Sequence, residues 1–171
     1  MLASDWEGVK PDILVLGKAL SGGVYPVSAV LARDEIMMTI GRGQHGSTYG
    51  GNPVAARVAM AALQVLVDER CAENADALGE VLRRELAAIP SARIEGVRGR
   101  GLLNAIIVKE QPAGAKKASA WDICLRLRDR GLLAKPTHGT IIRLAPPLVM
   151  TRPQLDECIA IIRDAFVSLD Q

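Results

Sequence analysis

Asp12-Ile13-Leu14-Val15-Leu16-Gly17-Lys18-Ala19-Leu20-Ser21-Gly22-Gly23 is the stretch on which the reading of the fold turns. Four consecutive apolar residues, Ile13–Leu16, end in a glycine; one lysine follows, and a glycine pair closes the segment. A short apolar run bounded by turn residues has the length and character of a strand buried on both faces, as in an α/β sheet. Lys18 would then stand at the end of a buried strand, inside a flexible turn. Burial there disfavours the ammonium form and lowers the lysine pKa. A neutral amine is the nucleophile that a Schiff base requires. The plainer reading of Lys18 is a solvated lysine where a strand leaves the sheet.

Working outward, Val27–Leu31 predicts a second strand and Asp34–Ile40 a short helix. The Gly-rich loop Gly41–Gly51 leads to Asn52 as N-cap and Pro53 at the first helical position, with the helix running to about Val67. That helix is apolar on nearly every face, which implies burial against other elements. Asp68-Glu69-Arg70 is a polar break and a candidate hinge. Beyond it, Ala75, Leu78, Leu82, Leu86 and Ile89 repeat at helical spacing along a helix over about Ala72–Ile89. Ile94–Arg98 and Leu102–Val108 predict two strands, and Ser119 caps a helix that ends at Gly131. Leu132–Ala134 and Ile141–Leu144 predict short strands. Thr151 caps a last helix with Leu155, Ile159, Ile162 and Phe166 on one face.

Residues 72–171 thus predict a compact α+β domain with its own core. Residues 1–67 predict two strands and a long apolar helix without a closed core, the end of a larger α/β domain whose beginning lies outside the sequence. The expected division is residues 1–70 and 71–171. The second part is expected to fold best; the first would expose apolar surface and be partly mobile or prone to aggregate.

Composition narrows the function. A net charge of +2 over 171 residues and 3% aromatics, with no basic run interleaved with aromatics, argue against a nucleic-acid partner. Cys71, Cys124 and Cys158 are odd in number and widely spaced, so they predict reduced thiols rather than disulfides or a metal site. His45 and His138 stand alone in Gly-rich loops, which also argues against a metal. No apolar run approaches the length of a membrane span. Residues 1–10 contain Asp5, Glu7 and Lys10 and lack the apolar core of a secretory leader, so a cytoplasmic setting is expected.

Two further segments carry chemistry. In Gly46-Ser47-Thr48-Tyr49-Gly50-Gly51, small residues let a backbone approach a phosphate, and Ser47 and Thr48 add hydroxyl donors; a Gly-rich turn entering a helix is the alternative. Arg143, inside the apolar run Ile141–Leu144, must find an anion if it is buried, and its planar fork suits a carboxylate. A structural ion pair, or an edge-strand arginine with its head in water, is the competing reading. A lysine for a Schiff base, a phosphate-holding loop and a carboxylate clamp together are the parts for pyridoxal-phosphate chemistry on an amino acid.

Those segments carry a family resemblance. Leu16–Val30 resembles the cofactor-lysine segment of the class III aminotransferases, and His45–Pro53 resembles their phosphate loop. Gly99–Ile106, Leu125–Asp129, Gly131–Gly139 and Ile141–Leu148 are similar to their C-terminal region, so the likeness covers essentially the whole chain. Gln111–Lys117 looks slightly longer than the family's usual loop. The resemblance implies the end of a fold-type I PLP-transferase large domain followed by a small α+β domain. It implies that Lys18 binds pyridoxal 5'-phosphate covalently and then shuttles protons. It implies that Ser47 and Thr48 hold the cofactor phosphate of a neighbouring subunit in a homodimer, and that Arg143 binds a carboxylate of the 2-oxo acid or amino acid substrate. The ornithine-acting branch is the best match: transfer of the terminal amino group of L-ornithine to 2-oxoglutarate, giving glutamate 5-semialdehyde and glutamate. Another ω-amine substrate (acetylornithine or 4-aminobutyrate), or a non-catalytic remnant that only dimerises, are the alternatives. Tyr25 and Tyr49 are expected to pack or line the site. The pyridine-nitrogen acid, the ring-stacking aromatic and the ornithine-recognition residues have no counterpart in the sequence; Asp5 and Asp12 are not given that role. The chain alone is therefore expected to be inactive, or to need a complementing N-terminal half.

Overall fold

Helix α4 (Cys71–Ala87) has buried Cys71, Ala75, Leu78, Leu82 and Leu86 on one stripe, and that stripe organises the second half of the chain. The computed structural model describes residues 2–170. It divides into two compact units, Met1–Arg70 and Cys71–Gln171.

In the second unit, strands β3 (Ile94–Arg100), β4 (Leu103–Val108), β5 (Lys135–Thr137) and β6 (Ile141–Leu144) form an antiparallel sheet in the order β3-β4-β6-β5. Helix α5 (Ala120–Asp129) and helix α6 (Arg152–Asp170) complete the α+β arrangement with α4. Sheet alternation fixes which face is inside. Asn104, Ile106 and Val108 of β4 are buried, as are Ile142 and Leu144 of β6. The four apolar ones pack with Leu78, Leu82, Leu86, Ile123, Leu127, Leu155, Ile159, Ile162 and Phe166. All nine predicted core positions are buried, eight on α4 and α6 and Ile89 just beyond the end of α4.

The caps match the sequence. Ser119 accepts from the Asp122 N–H while Asp122 accepts from the Ser119 N–H, a reciprocal capping box. The Ser119 backbone N–H and hydroxyl hold the Asp122 carboxyl below the usual carboxylate range.

One predicted strand is absent. Leu132–Ala134 is not paired; the strand begins at Lys135. The end of α5 explains why. Gly131, at φ +89, donates to Arg128 O, and the Leu132 N–H donates to Leu127 O at 2.9 Å. This Schellman closure uses the Leu132 amide on the helix end, so no strand can start there.

Close approach decides the β3–β4 turn. A Cβ on Gly79 of α4 would lie 1.9 Å from Gly101 O, so only glycine lets the helix rest on this turn. Arg83 Nη1 donates to Gly101 O and to Asn104 Oδ1, each at 3.0 Å, and Asn104 Nδ2 donates to Gly101 O. A second polar knot lies at Arg93, 0% exposed and not singled out by the sequence. Its Nε donates to Asp170 Oδ1 at 3.0 Å, its Nη1 to Glu110 O, and its Nη2 to Lys116 O and Leu169 O. One guanidinium thus ties the 110–117 loop to the end of α6.

The first unit is thinner. Helix α1 (Ala3–Trp6), not predicted, precedes strand β1 (Ile13–Leu16). β1 pairs with β2 (Ala29–Ala32) in a two-stranded antiparallel ribbon, with Val15 opposite Val30. Helix α2 is Asp34–Met37 and helix α3 is Pro53–Asp68. Asn52 caps α3, its Oδ1 accepting from the Ala55 N–H at 2.8 Å. The predicted burial of β1 is corrected: it has one neighbour, and Val15 is 69% exposed. Ser21 and Ala55 are the buried residues of this unit among those described. No helix among the described residues is long and apolar enough to cross a membrane.

Two outcomes follow from this packing. Replacing Arg93 with methionine leaves the Asp170 carboxylate and three carbonyls without their donor; urea unfolding should show a loss of about 3–5 kcal/mol. Burial pushes the Cys124 thiol up to about 11 from 9.0. Its raised folded pKa makes the stabilisation complete below pH ~9 and lost as pH rises toward ~11. A Cys124→Ala variant should lack that share of the alkaline decline, on the order of 2–3 kcal/mol at full titration; identical pH slopes would contradict it.

Candidate functional site

The segment after β1 bends sharply. Gly17 is extended, and Lys18 opens a 3-10 helix over Lys18–Ser21 with φ +52. A left-handed backbone at a lysine costs about 1–2 kcal/mol. Gly22, also left-handed, closes the turn with its N–H on Ala19 O at 2.9 Å. Ser21 is buried; its hydroxyl donates to Tyr25 O and accepts from the Tyr25 N–H at 3.2 Å. Sequence reasoning missed Ser21, and nothing in the Ser-Gly-Gly string signals this bond. A Cβ on Gly22 would sit 3.4 Å from Ala62 Cβ, so the 3-10 helix rests on α3.

The Gly-rich loop is folded by its own side chains. Ser47 Oγ accepts from the Gly50 N–H at 2.9 Å, and Asn52 Nδ2 donates to Tyr49 O at 2.9 Å. Those bonds turn the chain directly into α3.

Lys18 and Ser47 line the same cavity, of about 970 Å³. Tyr25, Ser28, Tyr49, Gly50, Gly51 and Asn52 also line it, with Ala55, Ala56 and Ala59 of α3. Tyr25 and Tyr49 therefore line the cavity, as expected. Thr48, the neighbour of Ser47, does not line it. Neither does His45. Lys18 is exposed rather than desolvated, a correction to the reading of its environment: β1 lacks the second neighbour that would have buried its end. Asp12 is paired with Arg33 at 2.8 Å across the β1–β2 ribbon.

Arg143 lies in the second unit, in the middle of β6. The strand alternates Ile142 and Leu144 inward, so Arg143 faces outward and is exposed. Of the readings left open for Arg143, the register gives the one with its head in water, on an inner strand of the sheet and not at an edge. A structural ion pair is also ruled out among the described residues, where the Arg143 side chain has no ionic or hydrogen-bonded partner.

The cavity offers one primary amine for a carbonyl group. The same lining includes serine and tyrosine residues and a glycine-rich backbone at the start of a 16-residue helix, where an anion is favoured. Its volume falls in the range of small-molecule and cofactor pockets, about 300–1,000 Å³. Those donors fit an aldehyde-bearing phosphate cofactor. Among the described residues no group of three or more His, Cys, Asp or Glu could hold a metal ion.

The family model for "Aminotransferase class-III" matches residues 1–166. The chain belongs to the class III aminotransferases. Ornithine aminotransferase, mitochondrial, of Rattus norvegicus is 59% identical to this class III chain over 98% of its length. The solved acetylornithine aminotransferase of Elizabethkingia anophelis is 54% identical with a TM-score of 0.89, covering 98% of the chain and 43% of that structure. The ornithine aminotransferase of Toxoplasma gondii, whose structure is described with partial occupancy of PLP at its active site, is 43% identical with a TM-score of 0.87, covering 98% of the chain and 39% of that structure. The class III chain spans 37% of the rat protein's length. Its fold is accordingly the mixed α/β fold of the family.

The loop-to-helix joint is checked by Asn52→Ala. Loss of the cap should cost about 1 kcal/mol. Hydrogen exchange at the Ala55 amide should quicken by a factor of about 5, with the amides of the second unit unchanged.

Proposed function

We propose that this chain contributes the cofactor lysine, one phosphate-binding loop and a carboxylate-binding arginine to an ornithine aminotransferase that uses pyridoxal 5'-phosphate. The carrying observation is that Lys18 and Ser47, 29 residues apart in sequence, line one cavity. The 59% identity to the rat ornithine enzyme supports the substrate. The reaction would move the terminal amino group of L-ornithine to 2-oxoglutarate. Under this reading the first unit is the end of the large cofactor-binding domain and the second is the small C-terminal domain.

When bound, the cofactor supplies the carbonyl that takes up an amino group and a ring that withdraws electrons from the reacting carbon. Each residue's part follows from its position. Lys18 Nζ, on a turn held by Ser21 and Gly22, is the covalent tether. When free, the same Nζ would act as the base that takes the proton from the substrate carbon and as the acid that gives it back. The resemblance gives Ser47 and Thr48 alike to a neighbouring subunit's cofactor phosphate; Ser47 lining the Lys18 cavity supports a phosphate role for its loop at that site as well, and leaves Thr48 to the partner subunit of a homodimer. Arg143 offers its planar fork to a substrate carboxylate. The left-handed turn at Lys18 fixes the direction from which the amine approaches, a strain of the kind found at functional sites.

A second reading has a specific observation behind it: the Elizabethkingia structure, named for acetylornithine, is 54% identical. The ratio of kcat/KM for ornithine and N-acetylornithine, measured on the assembled enzyme that contains this chain, separates the two. The rat relative is named as mitochondrial, so the cytoplasmic expectation gains no support from it.

The direct test is to add pyridoxal phosphate to the 171-residue chain, reduce with borohydride, and map the modified peptide by mass. Stoichiometric modification at Lys18, abolished by Lys18→Ala, is the expected outcome. Modification scattered over the surface lysines would refute the assignment.

A further inference from the structure

Ser21 is 1% exposed, in a unit where Ala55 is the other buried residue among those described, yet it does not line the cavity. The residues on both sides of it do. Lys18 and Leu20 line the cavity before it, and Tyr25, Pro26, Val27, Ser28 and Ala29 line it after. The link between these two runs holds the pair Gly22-Gly23, both left-handed at φ +64 and +83. Glycine is the freest residue of the backbone, so two in succession would make a loose joint.

Ser21 closes that joint. Its hydroxyl donates to Tyr25 O and accepts from the Tyr25 N–H at 3.2 Å, so one side chain holds both backbone groups of the residue four places on. A hydroxyl is a small group that can do both. The Val24 N–H donates to Ser21 O at 3.2 Å, which closes the same loop through the backbone. On the other side, the Leu20 N–H donates to Gly17 O at 3.2 Å and the Gly22 N–H to Ala19 O at 2.9 Å, which holds the 3-10 turn. The Lys18 side chain has no hydrogen bond or ion pair among the described residues, so the turn sets the direction of its amine. Lys18 sits at φ +52, and a left-handed non-glycine residue persists only where its surroundings over-determine it.

We propose that Ser21 is a positioning residue, whose hydroxyl ties the Lys18 turn to Tyr25 so that the amine and the run Tyr25–Ala29 meet the cavity in one fixed relation. The inference deepens the reading of Lys18 as the cofactor tether and rests on it. The competing account is that Ser21 stabilises its own loop and leaves the lysine where it is.

The test is amide hydrogen exchange on the 171-residue chain, followed by labelling with pyridoxal phosphate and borohydride. Ser21→Ala should quicken exchange at Tyr25 and also at Leu20 and Gly22, each about five- to tenfold. It should slow labelling of Lys18 about tenfold while the other lysines label as before. Ser21→Thr keeps the hydroxyl and should hold both readouts near those of the parent chain. Gln64→Ala removes a hydrogen bond to Asp68 on α3, away from the cavity lining, and should change neither. Quickening confined to Tyr25 overturns the proposal, as does Lys18 labelling that Ser21→Ala leaves unchanged; either makes Ser21 a part of its own loop. So does a parent chain whose Leu20 and Gly22 amides are already unprotected. A parent chain unlabelled at Lys18 refutes the tether reading instead, and exchange at Leu20 and Gly22 still decides whether Ser21 holds the turn.

Discussion

The alternation of β4 and β6 is the constraint from which the second unit follows. Ile106 and Ile142 are paired and both fully buried, and every second residue on either side repeats their direction. That puts Val108, Leu144 and Asn104 against the helices and sends Ala105 and Arg143 outward. A slip of one residue would bury an arginine and expose the isoleucines, which is why the register is strongly specified. The polar knots at Arg93 and at Arg83–Asn104 then fix the loops around a core already determined by burial. Hydrophobic burial supplies the stability, and the buried guanidinium specifies one arrangement of the 110–117 loop.

The first unit depends on a different principle. A two-stranded ribbon has little stability of its own. What shapes this unit is local backbone chemistry: the 3-10 helix, the left-handed Gly22, the Ser21 bonds to Tyr25 and the Asn52 cap. Those features bring Lys18 and Ser47 to one cavity without a large core. Site geometry set by turns rather than by packing is held less rigidly than geometry set by a core.

Much of the fold was legible because its signals are local and periodic. The α4 stripe, the Ser119 and Asn52 caps and the outward break at Gly131 all sit in a few adjacent residues. The Leu132–Ala134 strand was misread because three apolar residues look alike whether their amides close a helix or join a ladder. Burial of Lys18 was misread, and the place of Arg143 was left open, for a related reason. An apolar run does not reveal how many neighbours a strand has, or which face an arginine within it will take. Arg93 was not legible at all: its partners are Glu110, Lys116, Leu169 and Asp170, three of them carbonyls, and carbonyls carry no sequence signal. That Lys18 and Ser47 would line one cavity followed from their residue types, and the absence of Thr48 from it did not.

The central claim is that one cavity presents the Lys18 amine to the cofactor and the Ser47–Gly51 loop to its phosphate. A crystal structure of the chain grown with pyridoxal phosphate tests it most directly. The account predicts continuous density from Lys18 Nζ to the cofactor's carbonyl carbon, with the phosphate held by the Ser47–Gly51 loop. Cofactor bound at another lysine, or a phosphate turned away from that loop, would contradict it.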